Sequence, residues 1–255
     1  MAILYHLVPE SPVLVAYNHD AKLGTGINVP SIHSGKPRVL ASSDAGGNGT
    51  NLGINQNGLV VGWVSRRKAF EPVNPQSRNA LCRQLLKCSS ARRAMTLAMD
   101  GLASGEYFGV DFIIADAENG WVVHGGDDVE CTELVDGLTI LSSYDAEDPN
   151  DERVSMAHRL LTLQNLDSPI KFLAVASKVF ARGPSIPGRP SMVIRRPDYE
   201  TVSSTLIALG KKPRDAIYQF AAGAPDEAKF EDYSPMLRDI LSRGIRESRT
   251  KASVS

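Results

Sequence analysis

The residues of this chain whose types and spacing suit chemistry gather at the ends of apolar runs. Asn18-His19-Asp20 closes the second of two β-favouring stretches, residues 3–7 and 13–17, which a Pro-Glu-Ser-Pro turn separates. An aspartate there can orient an amine or terminate a strand, and the histidine beside it can touch a ligand or face outward. Successive strand residues point to opposite faces, so His19 and Asp20 are not expected to share one pocket. Residues 42–51, SSDAGGNGTN, offer backbone N–H groups and Asx side chains that suit either anion binding or a turn. They have neither GxGxxG spacing nor a P-loop lysine.

The other reactive types are less well arranged. Cys82 falls at a core position of a helical stretch and Cys131 beside acidic residues, and both settings raise a thiol pKa. His6, His33, His124 and His158 have no companion at ligand spacing, so neither a metal nor a cofactor is expected. Ser203-Ser204-Thr205 supplies hydroxyls to a pocket or to a strand ladder. Trp63 and Trp121 each follow a glycine turn as core anchors, with Trp63 also available as the wall of an acyl or ring site.

The elements that must position these residues follow from pattern. A short strand at 38–41, a glycine-rich loop, a strand near 50–54, an Asn57-Gly58 turn and a strand at 59–65 form a meander, after a Gly/Pro/Ser-spaced region at 23–37. Leu81, Leu85, Leu86, Ala94, Leu97 and Ala98 set a helical stripe that breaks near Ser89-Ser90. Two strands around Glu118-Asn119-Gly120 follow, then GLTILSS as a strand, two helices in DERVSMAHRLLTLQNL and IKFLAVASKVFAR, and a late strand pair. After residue 233 the chain reads as a polar tail with a short helix. Residues 1–234 are therefore expected as one domain and 235–255 as a partly disordered tail. The order suits helices layered on sheet.

Composition narrows the partners. With 255 residues, 42% hydrophobic content and a net charge of -1, the chain can bury one large core and has no global field for polyanions. Nucleic acid is not an expected partner. Three cysteines without a CxxC pair point to reduced thiols and the cytoplasm. No apolar run reaches the roughly 20 residues of a membrane span, and the first residues lack a signal-peptide pattern. A small-molecule ligand is the expected partner, with a homodimer left open.

Several blocks together carry a resemblance: LVAYNHDA, VLASSDAGGNGTNLGINQNGLVVGWVSRR, YFGVDFIIADAENGWVVHGG, LSSYDAEDPNDERV, YETVSSTLIAL and FEDYS. In this order they resemble the NRDE family, which includes the transport and Golgi organisation protein 2 homologues, over most of residues 2–234. The resemblance implies an α+β fold, a four-layer αββα sandwich of two antiparallel sheets as in N-terminal nucleophile (Ntn) hydrolases. It also implies a cysteine after the initiator Met that attacks an amide or thioester, with its own α-amine as base. An Arg and an Asp on the second strand would hold that amine and thiol. Here Ala2 stands at the nucleophile position, His19 at that of the Arg and Ala21 at that of the Glu, while Asp20 is unchanged. Ser65 and Ser143 take places where relatives put Asn. The implied catalytic set is Ala2, Asp20, Ser65 and Ser143, with Asn18, His19, Asn51, Trp63 and Arg66 around the substrate. The implied activity, given a Cys at position 2, is amidohydrolase or acyltransferase action on the C–N bond of a small molecule, and the chain with Ala2 there is expected to be inactive. A non-catalytic binding protein or trafficking factor on the same fold is the alternative.

Overall fold

The structure, a computed structural model, describes residues 1–47, 49–142, 151–184 and 190–252. In chain order its first elements are β1 (Ala2–Val8), β2 (Ser11–Lys22), β3 (Ile27–His33), β4 (Val39–Asp44), β5 (Leu52–Asn55) and β6 (Val60–Ser65). Two helices follow, α1 (Arg78–Leu85) and α2 (Ala91–Leu102), then β7 (Val110–Ala115), β8 (Gly120–Gly125), β9 (Val129–Glu133) and β10 (Gly137–Ile140). The last part holds α3 (Glu152–Thr162), α4 (Pro169–Phe180), β11 (Tyr199–Leu209), β12 (Ile217–Ala221), β13 (Glu231–Asp232) and α5 (Ser234–Ala252).

Alternation within the strands builds the layers. On β1 and β2, Ile3, Tyr5, Val13 and Val15 face a core between two sheets, while Ala2, Leu4, Leu14 and Ala16 face α3 and α4. One sheet runs β10-β1-β2-β11-β12-β13 and the other β3-β4-β5-β6-β7-β8-β9, with every pairing antiparallel. On the second sheet, Val61, Phe112, Ile114 and Val123 meet Leu81, Leu85, Ala94 and Ala98 of α1 and α2. The result is a four-layer αββα, α+β sandwich, because each sheet has two apolar faces and each helix one. Ser77 and Ser90 cap α1 and α2 by accepting from Ala80 and Arg93 N–H groups, which explains the break in the stripe. Gly58, at φ 83°, turns β5 into β6 at the anticipated Asn-Gly step.

Three segments differ from expectation. Residues 27–33 of the Gly/Pro/Ser-spaced region form β3, and residues 129–133 form β9; both are edges of the second sheet. Where a polar tail is expected, α5 extends over 19 residues. Leu237, Ile240 and Leu241, at helical spacing, bury themselves in the inter-sheet core.

Candidate active site

The site begins with a mismatch in strand length. β1 starts at Ala2, opposite Ala16 of β2 and Ile140 of β10. β2 continues to Lys22 and there pairs only with β11, so a notch opens in the sheet where β1 has not yet begun. Met1 forms its floor: its carbonyl accepts from the Leu141 N–H at 2.9 Å and its α-amine donates to the Leu141 carbonyl at 2.8 Å. A cavity of about 40 Å³ lies here, lined by Met1, Tyr17, His19, Asp20, Leu141 and Arg153 among others. That volume holds about two or three waters. A cleft of about 260 Å³ shares His19, Asp20, Trp63, Ser65 and Tyr199 with it and adds Asn51, Arg78 and Asn79. The two make one mouth, an inner cavity and an outer vestibule.

Both His19 and Asp20 line it, contrary to the expectation from alternation. The strand still alternates, with His19 stacked 6.2 Å from Tyr17 and Asp20 reaching Arg153 of α3. The notch passes through the sheet and so meets both faces. A bulge adds to this: β11 pairs Ser203 with His19 but Thr201 with Asp20, leaving Val202 as an extra residue that re-aims its neighbours.

Burial governs the electrostatics. The Asp20 carboxylate is 8% exposed, lies 3.8 Å from the Arg153 guanidinium and accepts from the Thr201 hydroxyl. Burial pushes its carboxyl above the usual range, against the pull of Arg153 and that hydroxyl. The Met1 α-amine falls to about 5, mainly through burial and then through Arg153, while Asp20 and Asp151 oppose the shift. Burial lowers His19 to about 4, so near neutral pH both groups are uncharged. His19 Nδ1, Asn51 Nδ2 and Arg153 Nε are buried with no hydrogen-bond partner among the described residues. Three orphaned polar atoms thus belong to residues that border one mouth, and such groups are costly to leave unsatisfied.

The walls are firmly held. Asp151 caps α3 by accepting from the Arg153 and Val154 N–H groups, which fixes Arg153 at the helix start. Arg78 Nη1 donates to Ser65 Oγ at 3.2 Å and to the Gly109 carbonyl at 2.9 Å, and its guanidinium lies 4.4 Å over the Trp63 ring. Burial lowers the Arg78 pKa. Trp63 Nε1 donates to Asn79 Oδ1 at 3.2 Å.

Of the residues expected at the site, Asp20, His19, Asn51, Trp63 and Ser65 border the mouth. Ala2 does not: it is fully buried against α3 and α4, because the parity that sends Ile3 between the sheets sends Ala2 the other way. Met1 stands at the cavity in its place. Asn18 borders the inner cavity, but its Nδ2 donates to the Phe180 and Met192 carbonyls at 2.9 and 3.1 Å, and its Oδ1 accepts from Ser204 at 2.8 Å. Those bonds make it a clamp between β2 and the end of α4. Arg66 turns away from the rim to meet Asp111 at 3.3 Å and His124 at 3.2 Å. Ser143 lies outside the described residues.

Sequence reasoning missed Arg153, Arg78, Tyr17 and Tyr199. Arg153 brings a cation to the mouth from α3, whereas the resemblance implies one on the second strand. It sits inside the quoted block LSSYDAEDPNDERV, where its place just after an acidic helix cap was the available signal. Among the described residues none of the cysteines borders the mouth, and no group of three or more His, Cys, Asp or Glu converges as a metal shell would. No helix among the described residues is long and apolar enough to cross a membrane.

Two antiparallel sheets between helices, with the first strand beginning at the cavity, define the Ntn-hydrolase type of sandwich. The comparison with solved structures gives the same class. The chain is similar to an N-acylethanolamine-hydrolyzing acid amidase ortholog from Caenorhabditis elegans, with a TM-score of 0.56 and 14% identity over 81% of this chain and 91% of that one. It is also similar to a variant of the conjugated bile acid hydrolase from Clostridium perfringens, with a TM-score of 0.51 and 12% identity over 91% and 92% of the two chains. No family model matches the sequence, and no curated protein matches it.

Proposed function

We propose that this chain is an Ntn-type amidohydrolase of the NRDE kind, acting on the C–N amide bond of a small molecule. The observation that carries this reading is the notch beside the Asp20–Arg153 pair, where a cavity of about 40 Å³ and the orphaned polar atoms of His19 and Asn51 meet. Where Met1 is the first residue, its α-amine, kept neutral near pH 7 by burial, serves as the base. Neither Met1 nor Ala2 offers a thiol or hydroxyl, so the attacking group is water. It adds to the amide carbonyl as its proton passes to the amine. The Nδ2 of Asn51 is the donor available to the developing oxyanion. The ammonium then protonates the leaving nitrogen as the C–N bond breaks. Acyl transfer differs only in the acceptor that replaces water.

The fold class of the two solved hydrolases supports the reading, as do the ordered NRDE-like blocks and the unchanged Asp20. The test is amine release from a panel of small N-acyl amides, run beside a variant carrying Cys at position 1 behind a removable start Met. Turnover by the parent chain, or a covalent acyl adduct gained by the variant, is the expected result. An inert parent together with an inert, correctly processed variant overturns it.

A second reading, a small-molecule binding protein on this frame, is favoured by one observation. No cysteine borders the mouth among the described residues, and Ala2 is turned away from it. It predicts a retained ligand in native mass spectra and no turnover.

A further inference from the structure

A groove distinct from the notch gathers positive charge. Its outer part, about 1180 Å³, is bordered by Lys36, Lys87, Arg93 and Arg246, and an inner arm of about 360 Å³ continues past Lys36 and Lys87 to Arg83. Lys36, Lys87, Arg93 and Arg246 form no close ion pair among the described residues, although Glu247 lies within electrostatic reach of Lys36, in a chain whose net charge is only -1. The one carboxylate in the lining, Glu247, is already engaged: Arg38 Nη1 and Gln56 Nε2 donate to its two oxygens at 2.8 Å each. One carboxylate against four cations leaves most of the positive field in place.

The groove is also built, not merely exposed. Asn55 Nδ2 donates to the Leu86 and Cys88 carbonyls at 2.9 and 2.8 Å, fixing the α1–α2 linker that carries Lys87. Gly244 lets α5 approach so closely that a Cβ there would lie 2.0 Å from the Gln56 carbonyl, fixing the wall that carries Arg246. Gln56, Asn57 and Gln84 add amide groups, and Pro37 and Leu97 an apolar surface.

We propose that this groove binds a small organic phosphate of nucleoside diphosphate size. Two lysines and two arginines free of close ion pairs around one concavity suit a ligand with two or more phosphate groups. The amides and the apolar surface suit the attached polar ring. A nucleic acid fits less well, since it requires a long cationic track, and these charges converge on one hollow.

The experiment titrates the full chain with ADP and with inorganic pyrophosphate by calorimetry at low and at moderate salt. Saturable one-to-one binding that weakens with salt is expected for both probes. The Lys36→Gln/Lys87→Gln double variant should bind about tenfold or more weakly, whereas Lys178→Gln, at an exposed position of α4 outside the groove, should bind as the parent does. Both lysines are exposed, so an unchanged melting temperature verifies the variant's fold. The proposal is overturned if neither probe binds saturably or if the double variant binds as tightly as the parent. It is equally overturned if a single-stranded oligonucleotide binds through the same lysines more tightly than ADP.

Discussion

Asp20 and Arg153 depend on one another because the carboxylate is 8% exposed and the arginine side chain 19%. Replacing one partner of a buried pair leaves an uncompensated charge, and this costs about 3 kcal/mol or more, whereas replacing both costs much less. Arg153→Met is therefore expected to lower stability by about 3 kcal/mol in urea unfolding, with much of the loss recovered in Asp20→Asn/Arg153→Met. Additive losses in that cycle would mean that the 3.8 Å approach carries little coupling. Asp20 was legible from its place at a strand end, but its partner was not, because α3 meets β2 only through the fold. Asn18 was legible as a polar residue near the mouth. Its work as a clamp depends on the Phe180 and Met192 carbonyls, which lie far away in sequence.

Elements buried on both faces, or bounded by caps, were readable; the two edges of the second sheet were not. Ser77, Ser90 and the Asn57-Gly58 turn each mark a boundary that local chemistry fixes. β3 and β9 pair on one side only, and their residues are mostly exposed, so neither shows an apolar run. Pro30 inside β3 argues against a strand by pattern, yet the register shift between Asn28 and Ser31 accommodates it. One polar side chain ties these elements together. Asn55 is fully buried, donates to the Leu86 and Cys88 carbonyls and accepts from the Asn57 and Leu59 N–H groups. Asn55→Ala leaves several buried groups unpaired, each costing about 1–3 kcal/mol. A melting temperature within a degree or two of the parent's would refute that accounting. On α5, Gly244→Ala should also destabilise, since the helix must back away from the β5–β6 turn, and a lower urea midpoint would register it.

For the molecule as a whole, the notch sets a pH dependence. His19 and the Met1 amine have folded pKa values of about 4 and about 5, below their ordinary 6.5 and 8.0. The unfolded chain therefore binds more protons between pH 4 and 8, and stability falls as pH drops through that window. Asp20 acts in the opposite sense, because its raised carboxyl pKa favours the folded state at low pH and that gain fades as pH rises. Unfolding free energy is expected to fall by on the order of 2 kcal/mol or more between pH 7.5 and 4.5. His19→Gln should flatten the acidic part of that slope, and an unchanged slope would show that His19 titrates normally in the fold.

Trp63 borders both the inner cavity and the outer cleft, beneath the Arg78 guanidinium. Trp121, the other of the two tryptophans, packs in the core on the helix side of the second sheet with Arg92 at 5.5 Å. The indole beneath Arg78 is thus a built-in optical gauge. In a Trp121→Phe background, any molecule entering the vestibule should alter the emission intensity or wavelength, reporting occupancy with no label and no knowledge of the reaction.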